Sequence, residues 1–282
     1  MLPDTTITRP AIRYYGGKWN LAPWIISHFP AHKNYVEPCG GAASVLLQKP
    51  RSSLETYNDL DGKVVNFFRV LRDRPDELIH KLRLTPWARM EYESSLSPCE
   101  TCDDVEQARL FWCSIAMSLN AGSALRSPCM RFSTDDQKAA EAYSRPDVLE
   151  SLYKVADRLS TVQIENRPAL RVIEQYDNDR TLTYFDPPYV SNTRTEDQTY
   201  TLEWNDVDHV AAAELLNECS GYIAISGYAC QLYADLYEAR GWSRVDKETQ
   251  ANKGSTRIES LWLSPRTVEA LNAPRQAYLF GA

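Results

Sequence analysis

Residues 182–189 read LTYFDPPY, and this octapeptide predicts a buried strand that runs into a rigid turn. Leu182, Tyr184 and Phe185 form a short apolar run of the kind found in strands that are covered on both faces. The two consecutive prolines that follow prevent the strand from continuing. Asp186 is therefore expected at the carboxyl end of a strand, where open α/β sheets bind their ligands.

This turn suits the alkylation of a planar, conjugated amine, whose lone pair is delocalised into its ring. The Asp186 carboxylate can accept one N–H of an exocyclic amine, and the carbonyl of Pro187 can accept the other. Because Pro187 and Pro188 fix φ, both acceptors are held in place, and Tyr189 can stack on the ring. Taken alone, the tetrapeptide is explained equally well as a turn that ends a strand, with Tyr189 in the core. The other motifs of the chain are needed to choose between these two interpretations of the turn.

Length and composition are those of one large globular domain, or of a domain with a sizeable insertion. The chain has 282 residues, of which 43% are hydrophobic, enough for a real core. A formal net charge of -7 argues against nonspecific coating of nucleic acid, although it permits a local basic cleft. The N-terminus does not read as a signal peptide and no apolar run is long enough to span a bilayer, which predicts a cytosolic protein that binds no membrane.

Neither the cysteines nor the histidines predict a metal site. Seven cysteines, an odd number, fit a reducing compartment better than a disulfide framework. Cys99 and Cys102 could in principle ligate zinc together with Cys113 and Cys129, but the last two lack paired spacing. The histidines show no ligand spacing and are interpreted as ordinary surface or helix residues: His28, His32, His80 and His209.

Two glycine-rich stretches precede helical patterns. Residues 13–18 read RYYGGK before an amphipathic helix expected from 21 to 29, and residues 37–44 read EPCGGAAS between a strand at 35–36 and a helix at 45–48. The first is either a ligand-facing loop or a turn that caps its helix. The second lacks both the G-x-G-x-x-G fingerprint and the P-loop lysine, so a pyrophosphate or triphosphate ligand is unsupported, whereas a nucleoside remains possible.

Asp59 follows the next predicted strand, at 54–57, and lies 22 residues after Glu37. At that spacing a nucleotide-binding α/β fold places the acid that grips the ribose hydroxyls. Asp59 could instead be the N-cap of the helix that passes through Phe67 and Leu71. The spacing from the glycine loop favours the ribose.

Four motifs in one order carry a resemblance: YGGK at 15–18, YVEPCGGA at 35–42, YNDLD at 57–61 and FDPPY at 185–189. The order resembles the D12 class of adenine-N6 DNA methyltransferases, the Dam-type enzymes, and is most similar to members common in phages and prophages. The resemblance implies an α/β fold with the seven-stranded, Rossmann-like sheet of class I methyltransferases. It also implies S-adenosyl-L-methionine as methyl donor, no metal, and adenine in double-stranded DNA as acceptor, in a bacterial or phage-infected cytoplasm.

The same resemblance assigns the site residues. Asp186, Pro187, Pro188 and Tyr189 fall at the flipped base. The residues that fall at the donor are Tyr14, Gly16, Gly17, Lys18, Glu37, Pro38, Cys39, Gly40, Gly41, Ala42, Ala43, Asp59, Leu60, Asn166, Arg167 and Asp186.

Two positions depart from the family pattern. Cys39 stands where the family usually has an aromatic or aliphatic residue, and Pro168 stands where many relatives have an acid beside the adenine of the donor. Selectivity for that adenine would then rest on backbone groups or on Asn166. The strand expected at 162–165 and the helix at 169–176 nevertheless fit the next strand and helix of such a sheet.

Residues 72–156 show helical patterns without a strand, at 76–84, 87–96, 105–119 and 148–159. The Dam-type family carries its DNA target-recognition domain at this place. The expected division is a catalytic domain of residues 1–71 and 157–282 and a helical recognition insertion of residues 72–156. Within it, the Gly/Ser/Asn-rich stretch 118–131 contains Asn120, Arg126 and Arg131, which suit contacts with phosphates and base edges.

The segments after the catalytic turn complete the expected fold. A polar loop at 191–201, with Arg194, could close over a flipped base. Helices are expected at 205–219 and 231–240, a buried strand at 222–226, and two last strands at 242–247 and 257–263. The strands flank a basic loop, 247–257, in which Lys253 and Arg257 are further candidates for DNA contacts.

Together these observations predict methyl transfer to N6 of a flipped adenine by a monomer, or by a dimer on DNA. Two other reactions stay open: methylation of cytosine N4, although enzymes of that kind more often have Ser in place of Asp186, and methylation of an RNA adenine. A noncatalytic DNA-binding relative is the alternative of another class, and it is supported only by Cys39 and Pro168. The target DNA sequence does not follow from the chain.

Overall fold

A computed structural model describes residues 6–119, 129–131, 146–190, 204–250 and 256–273. The strands of this part of the chain form one sheet of order β3-β2-β1-β4-β5-β7-β6. They are β1 (Asn34–Glu37), β2 (Leu54–Asn58), β3 (Val162–Glu165), β4 (Thr181–Phe185), β5 (Tyr222–Gly227), β6 (Ser243–Gln250) and β7 (Thr256–Leu263). The first five are parallel, and β7 pairs antiparallel with both β5 and β6. The prediction of an α/β, Rossmann-like sheet of seven strands is confirmed.

The order of the strands reverses between β1 and β4. The chain runs outward from β1 to β3 and then returns to add β4 on the other side of β1, with Val36 opposite Thr183. A crevice forms at such a switch point, outside the carboxyl ends of the strands. All five residues of β4 are buried, as the octapeptide predicted. The turn that begins at Asp186 therefore opens directly onto the crevice.

The described helices cover both faces of the sheet or pack beside it. They are α1 (Ala22–Ser27), α2 (Ser44–Gln48), α3 (Gly62–Asp73), α4 (Pro75–Leu84), α5 (Arg89–Leu96), α6 (Asp104–Ala116), α7 (Pro146–Leu159), α8 (Ala169–Tyr176), α9 (Asp206–Glu218), α10 (Gln231–Leu236) and α11 (Pro265–Asn272).

The main differences from the predictions are two boundaries and one additional helix. The helix expected to extend to residue 240 ends at Leu236, because the chain tightens into a 3-10 turn (Glu238–Arg240) and leaves it at Gly241, whose φ is +85°. The sequence did not predict α11. The basic loop expected at 247–257 is shorter, because residues 247–250 pair with residues 256–259 as the end of a hairpin.

Helices α4, α6 and α7 pack against α3, α5 packs against α6, and these helices share one hydrophobic cluster with the sheet. The rings of Phe67 on α3 and Phe111 on α6 lie 5.9 Å apart, centroid to centroid. On the other side, Arg158 of α7 donates to Glu55 Oε1 of β2 at 2.9 Å, and both side chains are buried. The helical segment is thus tied to the catalytic half by core contacts as well as by the chain. Its boundaries as a domain, at 72 and 157, stay a prediction.

The cysteines and histidines bring two corrections. Cys99 and Cys102 form a disulfide, with their Cα atoms 5.4 Å apart, so they are neither free thiols nor half of a zinc site with the buried Cys113. His209 is not a surface residue: it is buried on α9 between the rings of Trp204 and Tyr233. Within the described ranges, no group of three or more His, Cys, Asp or Glu side chains could hold a metal ion.

Across the same ranges, the longest apolar helices fall short of what is needed to cross a bilayer.

Candidate active site

A cavity of about 450 Å³ lies at the carboxyl ends of β1, β2 and β4. This volume is in the range of small-molecule and cofactor sites. Fourteen residues predicted for the donor or the base contribute to its wall: Tyr14, Gly16, Gly17, Lys18, Glu37, Pro38, Cys39, Gly40, Gly41, Ala42, Asp59, Leu60, Asp186 and Pro188. Motifs that are up to 170 residues apart in the chain therefore meet at one site.

The glycine loop after β1 is pinned to the end of β2. The Gly40 amide donates to the Asn58 carbonyl at 2.8 Å, and the Tyr57 hydroxyl donates to the Gly41 carbonyl at 2.8 Å. A Cβ atom at Gly40 would lie 2.2 Å from the Tyr57 ring, which leaves no room for any other residue. Gly41 has a φ of +46°, where a side chain is strained. The loop can therefore bring its backbone against a ligand only because both residues are glycines.

Asp59 holds this loop and also faces the cavity. Its Oδ2 accepts from the Gly41 amide and its Oδ1 from the Asp61 amide, both at 2.8 Å. Burial raises the pKa of Asp59, while these backbone hydrogen bonds oppose the rise. Each carboxylate oxygen has a second lone pair for a ligand hydroxyl. The alternative role, N-cap of α3, belongs to Asp61, whose Oδ1 accepts from the Lys63 amide at 2.9 Å.

Asn166 and Arg167 lie behind the wall of the cavity. The Asn166 side chain donates to the Asp59 carbonyl at 2.8 Å, and the Arg167 amide donates to the Asn58 side chain at 2.9 Å. These bonds fix the end of β2 rather than reaching the cavity. Three other predicted residues, Ala43, Pro187 and Tyr189, also stand outside the lining.

Several lining residues were not among the site residues that the sequence analysis assigned, although it placed Pro168 beside the adenine of the donor. They come from the turns around the glycine loops, from α8 and from the start of α9: Tyr15, Ser44, Val45, Asp61, Pro168, Ala169, Leu170, Arg171, Tyr184, Trp204, Asp208 and Ala211. A usable signal existed for α9. Asn205 and Asp208 form a capping box, and Trp204, Asp208 and Ala211 recur at helical spacing, so that they share one face.

Asp186 is paired on one oxygen only. Lys18 Nζ lies 3.0 Å from Asp186 Oδ2 and also donates to the Gly16 carbonyl at 2.9 Å. Asp186 Oδ1 is buried and has no hydrogen-bond partner among the described residues. Burial raises the pKa of Asp186, and the Lys18 charge opposes that rise. The wall of the cavity thus contains two buried polar atoms that have no hydrogen-bond partner among the described residues, Asp186 Oδ1 and Ser44 Oγ.

The ring of Tyr189 is enclosed by its neighbours. Only 5% of the residue is exposed, and its hydroxyl donates to Glu259 Oε2 at 3.0 Å. The Tyr228 ring meets it edge on, with centroids 4.8 Å apart, and Lys18 Nζ lies 4.7 Å from its centroid. The face predicted to stack on a base is therefore occupied by the Lys18 ammonium.

Glu37 is a buried acid at the floor of the cavity. Its Oε2 accepts from the Tyr35 hydroxyl at 2.9 Å and from the Leu46 amide at 3.0 Å. Burial is the main cause that raises the pKa of Glu37 to about 8, and the nearby Asp186 carboxylate raises it further, while its hydrogen bonds and Lys49 oppose. The carboxyl group is therefore largely protonated at neutral pH.

The described wall of the cavity carries more acids than bases. Besides Glu37, which is largely protonated at neutral pH, four of its residues are acidic, namely Asp59, Asp61, Asp186 and Asp208, and two are basic, namely Lys18 and Arg171. One of the two bases, Lys18, already forms an ion pair with Asp186. Such a wall attracts a cation and repels a pyrophosphate. The charges agree with the sequence, which lacks a phosphate-binding loop.

Of the residues predicted to contact DNA, the structure describes Arg131 and Arg257, while Asn120, Arg126, Arg194 and Lys253 lie outside the described residues. Arg131 follows an isolated bridge between Ser118 and Met130. Its side chain donates to the Leu119 carbonyl at 3.4 Å. Arg257 is exposed on β7. The two arginines are thus on separate elements.

Comparison with known proteins identifies the family. Residues 14–251 match the sequence model of the D12 class N6 adenine-specific DNA methyltransferases. The type II methyltransferase M.MjaIII of Methanocaldococcus jannaschii is 23% identical over 291 residues, which cover 90% of this chain and 96% of that protein. A DNA adenine methylase of Vibrio cholerae is 32% identical over 77 residues, 27% of each chain. A solved rRNA methylase from Streptococcus thermophilus aligns over 92% of this chain and 98% of its own, with a TM-score of 0.37 and 9% identity.

The match begins at the glycine turn before α1 and includes the cavity, the helical segment and the turn at Asp186. The sheet is that of a class I, Rossmann-like methyltransferase. The chain belongs to the D12 class of N6 adenine-specific DNA methyltransferases.

Proposed function

We propose that the chain transfers the methyl group of S-adenosyl-L-methionine to N6 of an adenine that is flipped out of duplex DNA towards Asp186. The observation that carries this proposal is the buried Asp186 Oδ1, which has no partner among the described residues. A buried polar atom without a partner costs about 1–3 kcal/mol, so a donor that arrives with the substrate is favoured there. The exocyclic amine of adenine brings two N–H donors.

The cavity suits the proposed methyl donor. Its acidic wall favours a cationic ligand, and its volume of about 450 Å³ admits a nucleoside with a side chain. We assign the ribose hydroxyls to Asp59 and the close backbone approach to Gly40 and Gly41. When bound, S-adenosylmethionine supplies an electrophilic methyl group on a sulfonium. Because Pro168 stands where many relatives have an acid, we assign the adenine of the donor to backbone groups of residues 168–171. We do not assign it to Asn166, because the amide of that residue is already bonded to the Asp59 carbonyl.

The residues of the turn orient and polarise the acceptor amine. Asp186 accepts one N–H and the Pro187 carbonyl accepts the other, which draws the lone pair of the amine out of the ring and towards the donor. Neither acceptor needs to be a strong base. The two prolines hold both acceptors in fixed positions, so little order has to be gained in the transition state.

Lys18 has to yield when the base enters. Its ammonium lies 3.0 Å from Asp186 Oδ2 and 4.7 Å from the Tyr189 centroid, where a stacked base would sit. If the Lys18 ammonium moves away from the Tyr189 ring, the base can stack there. The ammonium can remain close to the Asp186 carboxylate after this movement. The Lys18 charge also favours the ionised form of Asp186, the form that accepts the amine.

A direct test is transfer of a labelled methyl group to synthetic duplexes, followed by mass spectrometry of the nucleosides. We expect N6-methyladenine. N4-methylcytosine as product, or transfer to RNA alone, would contradict the proposal. Binding of DNA without any binding of donor would identify a noncatalytic relative. Sequencing of methylated DNA from cells that express the chain would then report the target site.

Asp59→Ala is expected to weaken donor binding by about 1.5–3 kcal/mol, the range for hydrogen bonds to a charged group. DNA affinity should be largely kept, because Asp59 lies at the end of β2 on the cavity side. Isothermal titration with the donor measures the first and fluorescence anisotropy with a duplex the second. Asp73→Ala, at the end of α3, removes an acid away from the cavity and serves as control. A loss of DNA binding with unchanged donor binding would show that Asp59 is not the ribose acid.

Arg126→Ala and Arg131→Ala are expected to separate two kinds of DNA contact. Loss of a bidentate contact to guanine costs about 1–3 kcal/mol and relaxes selectivity at one position of the target. Loss of a phosphate contact weakens binding to all sequences alike and flattens its dependence on salt. Binding at several salt concentrations to a set of singly substituted duplexes assigns each arginine. If both variants match the parent throughout, the recognition surface lies elsewhere, and the stretch 247–257 is the next candidate.

A further inference from the structure

Glu259 connects the base site to the antiparallel edge of the sheet. It lies on β7, 70 residues after Tyr189 in the chain, and its Oε2 accepts the Tyr189 hydroxyl at 3.0 Å. Its backbone lies opposite Lys247 of β6, and the neighbouring Ser260 pairs with Gly227 of β5. The hairpin therefore delivers a half-buried carboxylate to the outer end of the Tyr189 ring.

The same carboxylate also lies near Tyr228. Burial is the main cause that raises the pKa of Tyr228, and the Glu259 charge raises it further, whereas Arg257 opposes. Tyr228 in turn packs its ring against that of Tyr189 at an interplanar angle of 80°. Glu259 is thus next to both tyrosines of an edge-to-face pair, a geometry that aromatic rings favour.

These contacts restrict Tyr189 in complementary ways. The hydroxyl of a tyrosine lies on the axis about which its ring turns, so a hydrogen bond there fixes the direction of the ring but not its rotation. That rotation, about χ2, is intrinsically broad. The Tyr228 ring, whose centroid lies 4.8 Å away at an interplanar angle of 80°, limits this rotation, and a base stacked on Tyr189 would limit it further. Direction and plane of the ring are thus set by different neighbours.

We propose that Glu259 is a positioning residue for methyl transfer, which acts through the Tyr189 hydroxyl to fix the direction in which the ring points towards the flipped base. This inference rests on the proposed function. A misdirected ring would allow the base to tilt away from the Asp186 and Pro187 acceptors, and small errors of orientation reduce rate steeply. Glu259 itself touches neither the base nor the donor in this assignment.

Glu259 could act instead through its charge. Burial is the main cause that raises the pKa of Asp186, and the Glu259 carboxylate raises it further, whereas the charge and hydrogen bond of Lys18 lower it. The charged and titratable groups around it are Lys18, Tyr184, Asp186, Tyr189, Tyr228, Lys247 and Arg257. Glutamine separates the two modes of action, because its amide oxygen can still accept the Tyr189 hydroxyl while the charge is gone.

The experiment is a double-mutant cycle on the full-length protein, with methyl transfer to an adenine duplex as readout. Glu259→Ala and Tyr189→Phe are each expected to reduce kcat about tenfold, as for loss of one hydrogen bond to a charged group. The double variant should lose less than the product of the two single losses, because both substitutions remove the hydrogen bond between Tyr189 and Glu259. Donor affinity should not change. Glu259→Gln should keep most of the activity, and Glu248→Ala, on the exposed side of β6, should match the parent.

Three results would overturn the inference. Additive losses in the double variant would show that Glu259 does not act through the Tyr189 hydroxyl. A Glu259→Gln variant as slow as Glu259→Ala, with the acidic limb of its pH profile moved to lower pH, would show that the charge acts on Asp186. Wild-type activity of Glu259→Ala would remove any role. If Glu259→Ala fails to fold, Glu259→Gln and Tyr189→Phe still decide between these outcomes. A parent that methylates no adenine refutes the proposed function itself, which the cycle reports separately.

Discussion

Asp186→Ala is expected to slow methyl transfer by about 100-fold or more, the loss typical of removing a preorganised acceptor or donor from a transition state. Donor affinity should change only a few-fold, because the carboxylate chiefly engages the acceptor amine. The physical reason is that the two carboxylate oxygens have different surroundings. Oδ2 lies 3.0 Å from Lys18 Nζ, whereas Oδ1 is buried and has no partner among the described residues. Single-turnover transfer of a labelled methyl group at saturating donor measures the rate.

Two further variants make this result specific. Asp186→Asn keeps the size of the side chain but places an amide N–H group where only acceptors are wanted, so it should be nearly as slow as Asp186→Ala. Asp61→Asn is a matched control, because Asp61 is another acid of the cavity wall and asparagine caps a helix as well as aspartate does. It should keep kcat within a few-fold. Transfer by Asp186→Ala above about a hundredth of the parental rate would remove Asp186 from the proposed role.

The sequence predicted those parts of the site whose signals are local. Strand β4 and the turn at Asp186 follow from an apolar run and two prolines, and the glycine loop follows from the small residues between β1 and α2. Parallel strands bring their carboxyl ends to one edge, which is why motifs far apart in the chain could be assigned to one cavity. The order in which β4 returns beside β1 came from the resemblance rather than from any local pattern.

The parts that the sequence missed depend on tertiary contacts. Nothing near Glu259 in the chain indicates that a hairpin carries it to the Tyr189 hydroxyl. Asn166 reads as a ligand contact, yet its amide is used to hold the end of β2. Tyr189 reads as an open stacking platform, yet the Lys18 ammonium covers its ring. In each case a polar group interacts with a residue of another element, and such long-range pairs produce no periodic pattern in the sequence.

Glu37→Gln is expected to make the protein more stable at alkaline pH. In the folded chain burial raises the pKa of Glu37 to about 8, against an ordinary value of 4.5. Between these two values the unfolded chain has released a proton that the folded chain keeps. The free energy of unfolding of the wild type therefore falls as pH rises through this window, and the contribution is constant above about pH 8.

The size of the effect follows from the shift. One pKa unit corresponds to about 1.4 kcal/mol, so the contribution of Glu37 is on the order of 5 kcal/mol across the window. Glutamine has no proton to lose, and its amide oxygen can still accept from the Tyr35 hydroxyl and the Leu46 amide. Near pH 5 the two proteins should have similar stability. Near pH 9 the variant should be the more stable one.

Urea unfolding of both proteins without donor, at pH values from 5 to 9, measures their free energies of unfolding. The difference between these two free energies cancels the titration of every group that the proteins share. Glu214→Gln is the matched control, because Glu214 is exposed on α9 and the same substitution there removes a charge that remains in water. Its difference from the wild type should stay near zero throughout. If the free energy of unfolding of the wild type instead rises relative to that of Glu37→Gln as pH rises, Glu37 is ionised in the folded chain. Its two hydrogen bonds and Lys49 then outweigh the burial that otherwise keeps it protonated.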